Sequence, residues 1–539
     1  MKKNKRNIRI LIPLIICIGG MLITSCESDL DISPEDPNSF LADDFYTTPE
    51  SYKQGLAGVY ANLALTSATG PNNSNISGLD AGTSQYGRGL WNLQELTTDE
   101  VKWSWENDPG TRDLNRNSWS ADNAIIRGFF GRCMAQVAFA NEYLRQTTNE
   151  KLASRDVTDS NLLNDIAVYR AEARFLRAFA YYHIMDMFGK AGFITENDPV
   201  GFVQSPEYNR QQLFQFIESE TLDILPTLLD PLQNEYARID KAAAWMLLAK
   251  IYLNAEVYIG EDKYTDCITY CNNILQTSYT LSPIYANNFN ADNDTNSARN
   301  EIIFPVVSDG ITTQNWGPTT LMVNGQVGSL EQNGQDFGVG AGGWGGALRV
   351  TREFSEIFMN GTYSTDDRNT LITADRPIDI TDIGNNGTGY IIGKWSNKTS
   401  SGNNGSANEQ VDTDFPMFRL ADVYLIYVEA TLRGGNGGTL GQSATYINAL
   451  RIRANNNNTI TTNDLTLDIV LQERLVELHW EGHRRQDLIR FNRYTGGSYN
   501  WNWKGNSLSG ISISDHLKVF PIPNASLASN SNLTQNNGY

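Results

Sequence analysis

Apolar positions recur at helical spacing in several separated stretches of the chain. In "YRAEARFLRAFAYYHIMDMF", Ala171, Phe175, Ala178, Phe179 and Tyr182 fall on one face, and in "RIDKAAAWMLLAKIYLNAEVY", Ala244, Leu247, Leu248, Ile251, Tyr252 and Ala255 do the same. A shorter amphipathic helix containing Tyr264, Ile268 and Ile274 follows. Nearer the C-terminus "MFRLADVYLIYVEATL" aligns Leu420, Val423, Tyr424 and Tyr427, and "GGNGG" then breaks the pattern before "SATYINALRIRAN". From about 277 to 415 the helical period fades. That stretch is rich in Asn, Gly, Thr and Asp and carries short strand-like pieces such as "EIIFPVV" and "GYIIGKW".

Helix–turn–helix pairs with alanine at the contact positions resemble tetratricopeptide repeats of degenerate sequence. The expectation is a mostly α fold: a single domain over 49–539, with helical repeats at about 121–276 and 415–495. The polar stretch 66–120 and the irregular stretch 277–415 form the remainder. That much irregular chain within a helical protein is usually functional, so ligand contacts are expected there.

The N-terminus has a different character. "MKKNKRNIR" carries Lys2, Lys3, Lys5, Arg6 and Arg9, and it precedes the apolar run "ILIPLIICIGGMLI" and then "TSC". A spanning helix needs about 20 apolar residues, whereas this run is shorter, contains Pro13 and ends in small residues, as an export signal does. Ile23-Thr24-Ser25-Cys26 resembles a bacterial lipobox. Residues 1–25 are therefore read as a lipoprotein signal peptide and Cys26 as the acylated first residue, anchoring the protein to a membrane by lipid alone. Residues 26–48, acidic and proline-containing, read as a tether.

A net charge of −19 with a pI near 4.7 argues against nucleic acid as a partner. Of the cysteines, Cys267 and Cys271 sit one helical turn apart, where Cβ atoms are about 5–6 Å apart against the ~3.8 Å of a disulfide. With Cys133 isolated, all three read as buried thiols.

Several motifs invite chemical readings. "HWEGH", residues 479–483, matches neither zinc-protease pattern because Glu481 stands in the centre, and it reads as a helix end followed by the basic cluster His483, Arg484, Arg485. "GVGAGG" satisfies G-x-G-x-x-G without the preceding strand that a dinucleotide site requires, so it reads as a flexible loop with Trp344 at its tip. "DNDTNS" begins like a calcium loop but has Ser297 at the glycine position and Ile303 at the glutamate position. A structural Ca²⁺ assembled from Asp292, Asp294, Asp412 and Asp414 stands as one expectation, and plain Asx turns stand as the other. No cofactor is required. No G-x-S-x-G elbow occurs, while paired carboxylates of a glycoside hydrolase leave no sequence signature, so a surface hydrolase stays open.

Eleven tryptophans are present, and Trp91, Trp103, Trp105, Trp316, Trp344, Trp501 and Trp503 lie in polar or glycine-rich surroundings. Exposed aromatic rings are usually recognition surfaces. A pyranose offers a C–H face to an indole and a hydroxyl rim to polar groups, and Asp80, Arg88, Asn107 and Asp108 lie near enough in sequence to meet that rim. The alternative is that Trp103 and Trp105 alternate across a strand with only one exposed.

Together the lipobox, "DLDISPEDP", "AEARFLRAFAYYHIMDMFGKAGF", "DTDFPMFRLADVYLIYVEA", "LVELHWEGHRRQDLIRF" and the closing "FPIPNASLASNSNLTQNNGY" resemble the SusD/RagB family of Bacteroidetes outer-membrane lipoproteins, from Cys26 to Tyr539. "NLQELTTDEVKWSWEND" and "WNWKG" look most like the family's starch-binding member. The resemblance implies a non-catalytic glycan site for starch or malto-oligosaccharides on a tetratricopeptide scaffold. It also implies an outer-membrane location, facing outward as a lid on a SusC-like TonB-dependent transporter. It assigns sugar stacking to Trp105, Trp316 and Trp344, with Trp316 in place of a tyrosine. It assigns hydrogen bonding to Asp80, Arg88 and the Asn107/Asp108 pair, and a supporting role to Trp103. A family member for a different glycan and a protein-only repeat scaffold remain the other readings.

Overall fold

The computed structural model describes residues 42–201, 203–327, 334–359, 361–373 and 376–539. Residues 1–41, which include the stretch read as a signal peptide, Cys26 and most of the stretch read as a tether, lie outside the described residues. The body begins earlier than Pro49, because Ala42–Phe45 form a helical turn in which Asp43 pairs with Arg155 at 2.7 Å, and Tyr46 is buried against Tyr52.

Helices account for most of the regular structure. In chain order the principal elements are α1 (Pro49–Ala64), α2 (Tyr86–Glu95), β1 (Val101–Trp103), α3 (Ala124–Gln146), α4 (Ser160–Phe188), α5 (Arg210–Ile224), α6 (Lys241–Leu253) and α7 (Tyr264–Leu275). They continue as β2 (Ile302–Val306), α8 (Pro318–Gly325), β3 (Leu348–Val350), β4 (Phe415–Arg419), α9 (Leu420–Leu432), α10 (Leu440–Arg453), α11 (Leu467–Leu478) and α12 (Arg484–Arg490). Capping residues set the boundaries. Asn123 accepts from the amides of Ile125 and Ile126 to start α3, Asp159 caps α4, and Gly189 ends α4 in the left-handed region at φ 71°.

Consecutive helices pack on one another, α3 on α4, α4 on α5, α6 on α7 and α9 on α10, and α7 packs on α9 across the loop-rich stretch between them. Fully buried alanines, among them Ala173, Ala178, Ala243 and Ala249, let the helices approach closely, as a repeat scaffold requires. The single apolar face expected of α4 is too simple. From Ala171 onward almost the whole helix is buried, and its polar members are satisfied by distant partners, Glu172 by Arg238 and Arg177 by Glu220. Cys133, Cys267 and Cys271 are buried free thiols, as read from their spacing.

The loop-rich half is fixed to this scaffold in two ways. Short antiparallel pairs join β1 to β3, with Trp103 opposite Leu348, and β2 to β4, with Val306 opposite Phe415. Buried ion pairs do the rest. Arg419 meets Glu301 at 3.0 Å, Glu477 at 2.7 Å and Glu481 at 2.6 Å, while Lys394 meets Glu481 and Arg368 meets Glu473. Removing one partner of such a buried set typically costs about 3–5 kcal/mol. "HWEGH" belongs to this network: α11 ends at Leu478, Trp480 turns at φ 61°, and α12 begins at Arg484.

Candidate ligand-binding site

Three indoles converge from loops far apart in sequence. Trp105 leaves the end of β1, Trp344 stands on the glycine loop before β3, and Trp316 precedes α8. Ring centroids lie 5.5 Å apart between Trp105 and Trp344 and 6.2 Å apart between Trp344 and Trp316. Successive planes tilt by 33° and 34°, so the surface is stepped and not flat.

Each ring is held by backbone geometry. Asn115 brackets Trp103 with both halves of its amide, accepting from its N–H at 3.1 Å and donating to its carbonyl at 2.8 Å. The next amide, Ser104, donates to Ala347. Trp105 thereby emerges just past a pinned strand end, 36% exposed, while Trp103 is 1% exposed and packs beneath it at 5.8 Å. One ring of "KWSW" is exposed and the other buried, though not by alternation along a strand: β1 ends at Trp103, residues 101–104 are all buried, and Trp105 lies beyond the strand end.

Trp344 donates its backbone N–H to Asn324 at the end of α8, and Gly343 before it adopts φ 43° with a Cβ position only 2.4 Å from Val327. Only glycine fits there. Trp316 donates its indole N–H to Asn72 Oδ1 at 2.8 Å.

Of the polar residues expected near the rings, Arg88 lies against two indoles, and Asp80 and Asp108 act on its charge. The Arg88 guanidinium lies 5.0 Å from the Trp103 ring and 5.9 Å from Trp344. Its one hydrogen bond is a long one to the Trp316 carbonyl at 3.5 Å, and its Nε is buried without a partner. Among the described residues no carboxylate lies within ion-pair distance of it. Burial lowers its pKa to about 10, against the opposing charges of Asp80 and Asp108. Asp80 borders the same turn as Arg88 at Gly82 and accepts from the Thr83 amide at 2.9 Å. Partial burial raises its carboxyl, and the Thr83 bonds overcome this to hold it below the ordinary range. Asp108 is raised by desolvation, which outweighs the pull of Arg88. Asn107 is exposed and makes no hydrogen bond among the described residues.

Other expectations need correcting. Trp91 and Trp501 are fully buried, Trp91 edge-on to Trp480 and Trp501 beneath Lys504. Trp503 is half-buried under Arg116, with its N–H donated to the Ile380 carbonyl at 2.7 Å. Polar neighbours in sequence do not make a ring exposed.

No group of three or more His, Cys, Asp or Glu side chains that could hold a metal gathers among the described residues. Asp292 accepts from Ser400, Asp412 from Gly310 and Ser406, and Asp414 from Ser308 and Tyr236, while the Asp294 carbonyl takes the Arg299 guanidinium. Sequence reasoning missed Asn72, Asn115 and Asn324, whose roles depend on contacts that composition does not signal.

A helical-repeat scaffold displaying a loop-built aromatic platform is the class that fold and site define. No helix among the described residues is long and apolar enough to cross a membrane. A family model for the SusD family matches residues 327–539. The starch-binding protein SusD of Bacteroides thetaiotaomicron is 32% identical, over 97% of this chain and 98% of its own. A solved SusD homologue from Bacteroides thetaiotaomicron superposes with TM-score 0.70 at 19% identity, covering 92% of this chain and 98% of that one. Surface glycan-binding protein A from the same organism, in complex with laminarihexaose, superposes with TM-score 0.65 at 19% identity, covering 90% and 99%. The chain belongs to the SusD family.

Proposed function

We propose that the protein captures α-1,4-glucan, as starch or malto-oligosaccharides, without cleaving it, and passes it to a SusC-like TonB-dependent transporter at the outer membrane. The observation that carries this reading is the stepped arc Trp105–Trp344–Trp316 with the under-paired Arg88 behind it. Tilted rings suit a glycan that curves, as α-1,4-glucan does, better than the flat β-1,4 chain. Free guanidinium donors and the carboxylates of Asp80 and Asp108 suit a rim of hydroxyls. Membership of the SusD family and the likeness to a starch-binding relative support the same ligand.

Each stacked ring contributes about 0.5–1.5 kcal/mol beyond burial. Set against ordering costs, this gives a dissociation constant on the order of µM to mM. Weak capture suits a lid that must release its cargo, and a polymer engaging many copies adds avidity. Acylation at Cys26 is the membrane attachment in this reading.

Calorimetric titration of maltoheptaose, laminarihexaose and cellohexaose into soluble protein beginning after Cys26 tests it. Binding of maltoheptaose alone, weakened on the order of tenfold in Trp105→Ala, is the expected result. Preference for another glycan would overturn the α-glucan assignment, and release of reducing ends on long incubation with starch would overturn non-catalytic capture.

A further inference from the structure

The rings of Trp344 and Trp316 belong to separate loops, and one segment, residues 397–414, bonds to the supports of both. On the Trp344 side, Gly340 donates its N–H to the Asn408 carbonyl, and the Glu409 carbonyl accepts from the Asn324 amide that lies behind Trp344. Asn397, fully buried, donates to the carbonyls of Gly338 and Ala407. Gly338, at φ 75°, leaves no room for a Cβ, which would lie 2.3 Å from the Asn397 carbonyl oxygen.

On the Trp316 side the same segment supplies two carboxylates. Asp412 Oδ1 accepts from the Gly310 N–H at 2.8 Å while Oδ2 accepts from Ser406 N–H at 2.7 Å. Asp414 Oδ1 accepts from the Ser308 N–H at 2.8 Å, and its Oδ2 takes the Tyr236 hydroxyl of the helical scaffold at 2.8 Å. Ser308 in turn donates its hydroxyl to the Val411 carbonyl. The base of the Trp316 loop is thus suspended from the strap that steadies the Trp344 loop.

We infer that Asp412 and Asp414 are positioning residues which, through the strap 397–414, fix Trp316 relative to Trp344 and so set whether one glycan chain can engage both rings. The inference rests on the glycan reading of the arc for its ligand, though not for its geometry. Asp412 is half-exposed, so its replacement does not open the core.

The test has two arms. Hydrogen exchange on the free protein should show residues 307–317 exchanging at least tenfold faster in Asp412→Ala, with α2 unchanged. Calorimetry with maltoheptaose should show a fivefold or greater loss of affinity for Asp412→Ala in the native background and almost none when Trp316→Ala is already present, because the residue acts through that ring. Asp412→Asn, which keeps the acceptor for Gly310, should recover most of the loss, and Asp412→Ser, whose shorter side chain withdraws that acceptor, serves as the working variant if the alanine form does not fold. Unchanged exchange, or equal losses with and without Trp316, would overturn the inference. If the native protein binds no glucan, the glycan reading falls, and the exchange result alone decides whether the strap holds the loop.

Discussion

Trp316 and Asn72 are joined by an indole-to-amide hydrogen bond of 2.8 Å between residues that no shared element brings together. The bond uses up the polar edge of the ring, and on the proposed glycan reading it leaves the face for the ligand. Asn72→Ala should free the indole to turn, at a cost of about 0.5–1.5 kcal/mol for one net hydrogen bond. Affinity for maltoheptaose should fall severalfold with the melting temperature unchanged, since Asn72 is exposed.

Trp105 is exposed and Trp103 buried within one tripeptide, so on the proposed glycan reading the first should serve binding and the second folding. Trp105→Ala removes a 36% exposed ring, so glucan affinity should drop on the order of tenfold while thermal stability holds. Trp103→Ala removes a 1% exposed ring and should destabilise the fold by about 3–5 kcal/mol. Calorimetric titration paired with thermal melts distinguishes the two, and similar melts for both variants would contradict the assigned roles.

Arg88 bears the cost of burial without an ion pair to offset it. Arg88→Met keeps much of the side-chain bulk over Trp103 and removes the charge. The variant should melt at or above the native temperature while losing maltoheptaose affinity. A large fall in melting temperature would show that the guanidinium is needed for the fold.

Glu95 and Glu100 form a buried carboxyl pair beneath the turn at 480–483. Glu95 accepts from the amides of Gly482 and His483, and Glu100 accepts from the amide of Trp480. Desolvation pushes Glu95 up to about 7, and desolvation with the neighbouring Glu95 charge pushes Glu100 well above the ordinary range, while Arg484 pulls both down. A carboxyl raised on folding is protonated in the native state and ionised in the unfolded chain between the two pKa values. Its stabilisation is therefore complete below about pH 4.5 and declines as pH rises through about 7. Glu100→Gln keeps the acceptor for Trp480 and removes one titration, so melting temperature should fall less between pH 5 and 8, a range about the two pKa values. Parallel curves for native and variant proteins would refute this.

The helices of the repeat scaffold were legible because apolar residues at three- and four-residue spacing report the face that packs, as Phe175, Phe179 and Tyr182 do. What the spacing could not report is that α4 is enclosed, because Glu172 and Arg177 find their counter-charges beyond the helix. The same limit applies to the tryptophans. Glycine and asparagine around Trp344 and Trp316 correctly suggested rings with little helix to pack under, yet Trp91 was misread because its partner, Trp480, is remote in the chain. In "DNDTNS" and "DTDFP" the carboxylates take donors from remote loops, as Asp412 takes the Gly310 N–H, contacts that the sequence does not announce.

The clamp that Asn115 places on Trp103 has a consequence for timing. A platform already in shape spends little on rearrangement when a chain arrives, so encounter should be fast, with differences between ligands residing in departure. On the proposed glycan reading, association at about 10⁵–10⁷ M⁻¹s⁻¹ with weak affinity would hold each sugar chain for seconds at most and often only for milliseconds. On that reading a platform that releases so soon could be regripped by the same strand many times.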